Sequence, residues 1–67
     1  MTRIVVDAMG GDYAPHEQVV GSVNALNADK DLYLILVGDK EQIEKELSAL
    51  SYDKSRLEIV HTTQTIG

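Results

Sequence analysis

A short acidic segment with two glycines, near the start of the chain, carries the side chains best suited to chemistry. Asp7 and Asp12 flank the adjacent glycines Gly10 and Gly11. The glycines let a backbone approach a ligand closely, and the positive end of a following helix would point into the same space. Two carboxylates alone would repel an anion, so they suit a phosphate site only with a cation such as Mg²⁺. The segment is compatible with an anion site, and we predict neither a resident metal nor a cofactor.

Several familiar motifs are absent. A Walker loop needs a lysine after its last glycine, but no lysine lies between Arg3 and Lys30. The dinucleotide fingerprint needs spaced glycines, whereas the first two here are adjacent and the next is Gly21. A phosphatase that forms an aspartyl phosphate would need a second acid two residues after Asp7, where Met9 stands. The chain has no cysteine, which excludes a thiol nucleophile and a cysteine zinc site.

Each candidate residue also has a structural alternative. Asp7 follows a predicted strand, where it either binds a ligand or accepts hydrogen bonds from loop N–H groups. Asp12 precedes a predicted helix, where it is a helix cap or a catalyst. His61 either makes polar contacts or transfers a proton at the ligand edge, or it is a histidine that merely ends a strand. We expect His16, near a helix N-terminus, to be a neutral surface residue.

The apolar pattern predicts the elements that position these residues. Continuous apolar runs of Val, Ile and Leu are typical of strands buried on both faces, and stripes spaced by three and four residues are typical of helices. The predicted elements are strands at 4–6, 32–37 and 57–60, the last extending to His61, and helices at 15–27 and from Asp39 to 50. Asp39 and Gln42 predict a capping box at the second helix. Gly21 weakens the first helix by about 1 kcal/mol relative to alanine, which close helix-to-strand packing would offset.

The predicted fold class is α/β, a βαβαβ unit with a three-stranded parallel sheet. Right-handed crossovers place both helices on one face of that sheet and leave the other face bare. Parallel strands with continuous apolar runs need cover on both faces. We therefore predict that residues 1–67 are the N-terminal segment of a larger α/β domain, with no internal boundary.

Composition narrows the partners and the compartment. Six Lys and Arg residues stand against eleven Asp and Glu, giving a net charge of −5. This balance argues against nucleic acid and against anionic membranes, which need clustered positive charge. Met1 leads almost directly into an apolar run without a basic or long hydrophobic leader. The expected location is cytoplasmic.

The motif itself resembles a known family. Residues 4–12 read IVVDAMGGD and are followed by Ala14 and Pro15, then VG at 20–21, LVGD at 36–39 and IVH at 59–61, with Ile66 near the end. This pattern resembles the opening of the bacterial phosphate acyltransferases of fatty acid and phospholipid synthesis. One departure follows His61: the family tends to carry a small residue, Ser and Glu, where Thr62, Thr63 and Gln64 stand here.

The resemblance implies transfer of a fatty acyl group from acyl carrier protein to inorganic phosphate. The acyl phosphate then serves the acyltransferase that makes lysophosphatidic acid. The family's fold resembles the three-layer fold of isocitrate and isopropylmalate dehydrogenases, and its members are homodimers at the periphery of the cytoplasmic membrane. The carrier-docking and membrane surfaces are expected outside this chain, which is expected to be inactive alone.

The resemblance also implies roles for the candidate residues. Gly10 and Gly11 would bind substrate through N–H donors, Asp7 or Asp12 would accept a proton or position a cation, and His61 would assist. Gly11→Ala is expected to reduce activity with little loss of folding. The alternative function is a non-catalytic α/β module that binds a phosphate or nucleotide ligand.

Overall fold

The computed structural model describes residues 2–62 and confirms the βαβαβ order. Its elements are, in chain order, β1 (Thr2–Asp7), α1 (His16–Ala28), β2 (Leu32–Gly38), α2 (Lys40–Leu47), a short 3₁₀ helix (Lys54–Arg56) and β3 (Leu57–His61). Thr63, Gln64 and Ile66 of the sequence pattern lie outside the described residues.

The strands form a parallel sheet in the order β1-β2-β3. Its register pairs Asp7 with Val37 and Gly38 with His61, so the carboxyl ends of all three strands meet at one edge. β2 is the central strand, as its six-residue apolar run predicts. The topology therefore brings both ends of the predicted site to the same edge of the sheet.

The core lies between the sheet and the two helices, which pack on one face as predicted. Alternate residues of β2 are buried, and they meet the apolar stripes of α1 and α2. The fully or almost fully buried side chains are Ala8, Val19, Val23, Leu26, Leu32, Leu34, Leu36, Ile43 and Leu47. Burying a Val, Leu or Ile side chain contributes about 1.5–3 kcal/mol, so this single layer of contacts is the main source of stability.

The opposite face of the sheet is open. The expectation that β1 is buried on both faces is wrong for residues 2–62, since Val5 is 66% and Ile4 43% exposed. The reason is topological: β1 is an edge strand, and the helices cover only the other face. On the open face the Tyr33 hydroxyl donates to the Glu58 carboxylate at 3.1 Å, which raises the pKa of Tyr33.

The two helices begin differently. α1 begins at His16, with Pro15 at the N-cap position and no side-chain cap. α2 is capped by Asp39, whose Oδ1 accepts from the Glu41 N–H at 3.0 Å. The Gln42 amide donates to Asp39 Oδ2 at 3.0 Å instead of reaching a backbone N–H, so the predicted capping box is only half formed.

The cap of α2 predicts that the folding stability depends on pH. The Gln42 amide, followed by backbone N–H donors, lowers the pKa of Asp39 below its ordinary value of 3.8. A carboxylate whose pKa is lower in the folded state stabilises the fold above its ordinary pKa, and this contribution is lost as the pH falls through the folded value. In urea unfolding, Asp39→Asn should be less stable than the parent at pH 7, and the difference should shrink as the pH falls below the ordinary pKa of 3.8. Asparagine also caps helices well, so this variant removes the charge and keeps the cap. A stability difference between the two proteins that stays constant with pH would contradict a charge-based origin.

Candidate functional site

Three segments meet at the carboxyl edge of the sheet. They are the loop 8–15 after β1, the junction of Gly38 and Asp39, and the end of β3. Backbone hydrogen bonds tie them together, because the Ala8 N–H donates to the Val37 carbonyl at 2.9 Å and the Thr62 N–H donates to the Gly38 carbonyl at 3.0 Å. Ligands of open parallel sheets bind at this edge.

Asp7 holds the first loop. Its Oδ1 accepts from the Met9 N–H at 3.0 Å, and its carbonyl accepts from the Gly10 N–H at 3.4 Å. Asp7 thus accepts hydrogen bonds from loop N–H groups, as one of the two alternatives predicts, and its ligand role stays a prediction. Its carboxylate is exposed, but one oxygen is engaged in fixing the turn.

The shape of the loop requires a glycine at position 11, whereas a Cβ at Gly10 would meet only ordinary contacts with Asp7 at 3.4 Å or more. Gly11 has a φ of +104°, and a Cβ there would lie 2.7 Å from Gln18 Nε2. The same Gln18 amide donates to the Gly10 carbonyl. We therefore expect Gly11→Ala to lower the folding stability more than the sequence predicts, because alanine is strained at this φ, although the end of the Gln18 side chain can move away. The sequence does not predict this role of Gln18, because no local pattern distinguishes a half-buried glutamine in a helix from an exposed one.

Asp12 is exposed in the same loop. Its carboxylate forms no hydrogen bond or ion pair with any other residue of the 2–62 range. It is not the predicted helix cap either, since α1 begins at His16 and Pro15 takes the N-cap position. Asp12 is thus an acid beside the N-terminus of a helix that lacks a side-chain cap.

The N-terminus of α2 contrasts with that of α1. Its first N–H groups are taken by neighbours: Lys40 N–H donates to His61 Nδ1 at 3.1 Å, and Glu41 N–H donates to Asp39. The Ile43 N–H donates to the Asp39 carbonyl at 3.0 Å. At α1 the Glu17 N–H donates to the Tyr13 carbonyl at 3.4 Å and the Val19 N–H donates to the Pro15 carbonyl at 2.9 Å, so the difference between the two helices is that α1 has no side-chain cap.

The two histidines have different surroundings. His61 is exposed at the carboxyl edge, where it contacts the start of α2. His16 is an exposed surface residue, as expected, but its Nδ1 lies 2.6 Å from Glu46 Oε2 and links α1 to α2. The structure places only His61 at the edge that the sequence analysis singled out.

The remaining surface adds little to the site. Within residues 2–62, no group of three or more His, Cys, Asp and Glu side chains could hold a metal ion, and no helix is long and apolar enough to cross a membrane. A groove of about 500 Å³ lies between α2 and β3. None of the predicted site residues lines it.

Comparison with known proteins identifies the family of the chain. Residues 2–67 match the family model described as "Fatty acid synthesis protein". The chain belongs to the fatty acid synthesis protein family. The matched residues of this family member include the three segments described above at the carboxyl edge of the sheet.

Two curated relatives of this family member share a name. A protein named "Phosphate acyltransferase" from Clostridium tetani is 47% identical over 97% of the chain and 20% of its own length. Another of that name from Clostridioides difficile is 50% identical over 96% of the chain and 18% of its own length. The chain thus spans about a fifth of the length of these relatives.

Proposed function

We propose that this chain is the N-terminal segment of a larger α/β domain that transfers a fatty acyl group from acyl carrier protein to inorganic phosphate. The observation that carries the proposal is the similarity of nearly the whole chain to relatives named phosphate acyltransferase, together with the family match over residues 2–67. The open face of the sheet supports the larger domain, because exposed Val5 and Val60 would be covered by a further layer. That layer would give the three-layer, dehydrogenase-like fold.

The reaction sets clear demands on the site. A phosphate oxygen attacks the carbonyl carbon of the thioester, a C–O bond forms, and the C–S bond breaks as the carrier thiolate leaves and takes up a proton. The products are acyl phosphate and the free carrier thiol. The site must therefore bind an anion, stabilise the oxyanion of the tetrahedral intermediate and handle a proton.

The geometry suggests how the residues share these tasks. The Gly11 N–H, together with the N-terminus of α1, which has no side-chain cap, offers donors to phosphate or to the oxyanion, whereas the Gly10 N–H is engaged by the Asp7 carbonyl. The free carboxylate of Asp12 accepts a proton or positions a cation. Asp7 acts through the loop that it fixes, and His61 contacts substrate at the same edge.

Partners follow from charge and from the family resemblance. Acyl carrier protein is acidic, and this chain carries a net charge of −5, so we place the carrier-docking surface outside residues 1–67. The homodimer contacts and the peripheral contact with the cytoplasmic membrane are placed there too. The 67-residue chain alone should have no transferase activity.

The decisive assay uses a protein of family length whose residues 1–67 are this sequence. It follows loss of the acyl carrier protein thioester and formation of acyl phosphate, with and without inorganic phosphate. Thioester loss that does not depend on phosphate would refute the acyltransferase proposal. Phosphate binding without turnover would favour the non-catalytic binding module instead.

Asp12→Asn tests the acid of the site. Because Asp12 makes no contact with other residues among 2–62, the change should leave the unfolding transition within about 0.5 kcal/mol of the parent. If its carboxylate accepts a proton, the phosphate-dependent rate in the family-length protein should fall about 10²-fold or more. Glu41→Gln, on the exposed face of α2, is the matched control and should keep the parent rate. Equal rates for both variants would remove Asp12 from the site.

A further inference from the structure

The hydrogen bond between Lys40 and His61 fixes the protonation of the imidazole. The backbone N–H of Lys40 lies 3.1 Å from His61 Nδ1, and a backbone N–H can only donate. His61 Nδ1 must therefore be the unprotonated nitrogen. A neutral imidazole carries one proton, so that proton is on Nε2.

His16 provides the opposite case in the same chain. Its Nδ1 lies 2.6 Å from Glu46 Oε2, and an ionised carboxylate can only accept. His16 Nδ1 therefore carries a proton while His61 Nδ1 does not. These are the only two histidines of the sequence, so each serves as a reference for the other.

The Asp39 carboxylate interacts electrostatically with His61, which contributes to the lowered pKa of Asp39, but its oxygens are hydrogen-bonded to other groups. The Asp39 carboxylate accepts from the Glu41 N–H and the Gln42 amide, each at 3.0 Å. The Lys40 ammonium lies 3.7 Å from Glu44 Oε1. Neither side chain replaces the Lys40 N–H as the partner of Nδ1.

We propose that His61 is a neutral hydrogen-bond donor, which presents Nε2–H to an anionic oxygen at the carboxyl edge and does not act as a general base. A base needs a free lone pair, but one ring nitrogen accepts from Lys40 and the other bears the proton. The identity of the anion, a phosphate oxygen or the thioester oxyanion, rests on the proposed function. The protonation state rests on the Lys40 contact alone.

The protonation state is tested by ¹⁵N NMR of the imidazoles in the 67-residue chain. Lys40→Pro removes the N–H at the first position of α2, where proline is favoured, and the extended backbone of Asp39 (ψ 109°) suits a residue before proline. Lys40→Ala keeps the N–H and removes the same side chain. The parent and Lys40→Ala should show a hydrogen-bonded, unprotonated His61 Nδ1, and Lys40→Pro should shift that signal alone, leaving His16 unchanged. A proton on Nδ1 in the parent, or no response to Lys40→Pro, would overturn the proposal.

The role of Nε2–H is tested in the family-length protein. Glutamine places an amide N–H near the position of Nε2 but cannot act as a base. His61→Leu should lower kcat about 10²-fold, as loss of one oxyanion donor does, whereas His61→Gln should recover most of it and leave the pH profile unchanged. Equal losses in both variants would make His61 a base or a purely structural residue. An inactive parent would instead refute the proposed function and leave the NMR result standing.

Discussion

Replacing Arg56 with methionine is expected to lower the free energy of unfolding by about 2–4 kcal/mol, because it removes three charge-assisted hydrogen bonds to backbone carbonyls. The Arg56 side chain is only 14% exposed. Its guanidinium donates to the carbonyls of Leu26, Asp29 and Leu32 at 3.3, 3.0 and 3.1 Å. One arginine thus joins the end of α1, the following loop and the start of β2.

The contact also places a positive charge at the C-terminal end of α1. The last turn of α1 has no basic residue of its own, although the C-terminal end of a helix is partially negative. Arg56 supplies the missing positive charge from a segment 30 residues further along the chain. Its place is fixed in turn by Asp53, whose Oδ2 lies 3.2 Å from Arg56 Nε.

The test is urea unfolding of three variants. Lys54→Met, in the same 3₁₀ helix but exposed, removes a positive charge without these contacts and should stay within about 0.5 kcal/mol of the parent. Arg56→Lys keeps the charge but not the planar fork of donors, so it should fall between the parent and Arg56→Met. If Arg56→Met and Lys54→Met were equally stable, the carbonyl contacts would contribute nothing.

The layout of the fold follows from short-range patterns. The apolar run at 32–37 identifies the central strand, and the stripe of Val19, Val23 and Leu26 identifies the buried face of α1. These patterns reflect burial, which repeats with the period of the element. The position of the carboxyl edge follows as well, because consecutive parallel strands with crossover helices must end together.

The contacts that set the details do not follow from local patterns. Arg56 meets the end of α1, and the Lys40 N–H meets His61, across long separations in sequence. The position of Asp12 before a helix that starts with proline predicts a helix cap, but the chain makes a further turn before α1 begins at His16. The exposure of Val5 depends on whether a further layer of structure covers its face of the sheet, and an apolar run alone does not predict this.

Gly38→Ala is expected to destabilise the protein by about 1–3 kcal/mol through overpacking at the centre of the carboxyl edge. A Cβ on Gly38 would lie 2.6 Å from Met9 Cγ, 3.0 Å from Met9 Sδ and 3.2 Å from Ile43 Cδ1. The methionine follows Asp7 in the loop that contains Gly10 and Gly11. An alanine at Gly38 therefore pushes the glycine loop away from the end of β2, and should reduce both stability and phosphate-dependent turnover.

The same substitution at Gly21 separates this clash from the intrinsic effect of alanine. Among residues 2–62, nothing outside the backbone of α1 itself lies within 4 Å of a Cβ at Gly21, so the predicted close packing of α1 on a strand at that position is wrong for this part of the chain. Gly21→Ala should stabilise the helix by about 0.5–1 kcal/mol. A thermal unfolding series would then show opposite signs for two Gly→Ala changes in one chain.

Combining Gly38→Ala with Met9→Ala tests whether Met9 is the side chain that a Cβ at Gly38 overpacks. Removing the thioether opens the space that a Cβ at Gly38 would need, whereas Ile43 remains in place at the more tolerable separation of 3.2 Å. Gly38→Ala should therefore cost at least about 1 kcal/mol less in the Met9→Ala background than in the parent, a coupling of the size seen between touching residues. Additive effects would mean that Met9 yields freely and that the rigid partner is Ile43. In that case the glycine would be needed for packing of α2 on β2, and the loop that carries Asp12 would keep its place when Gly38 is replaced.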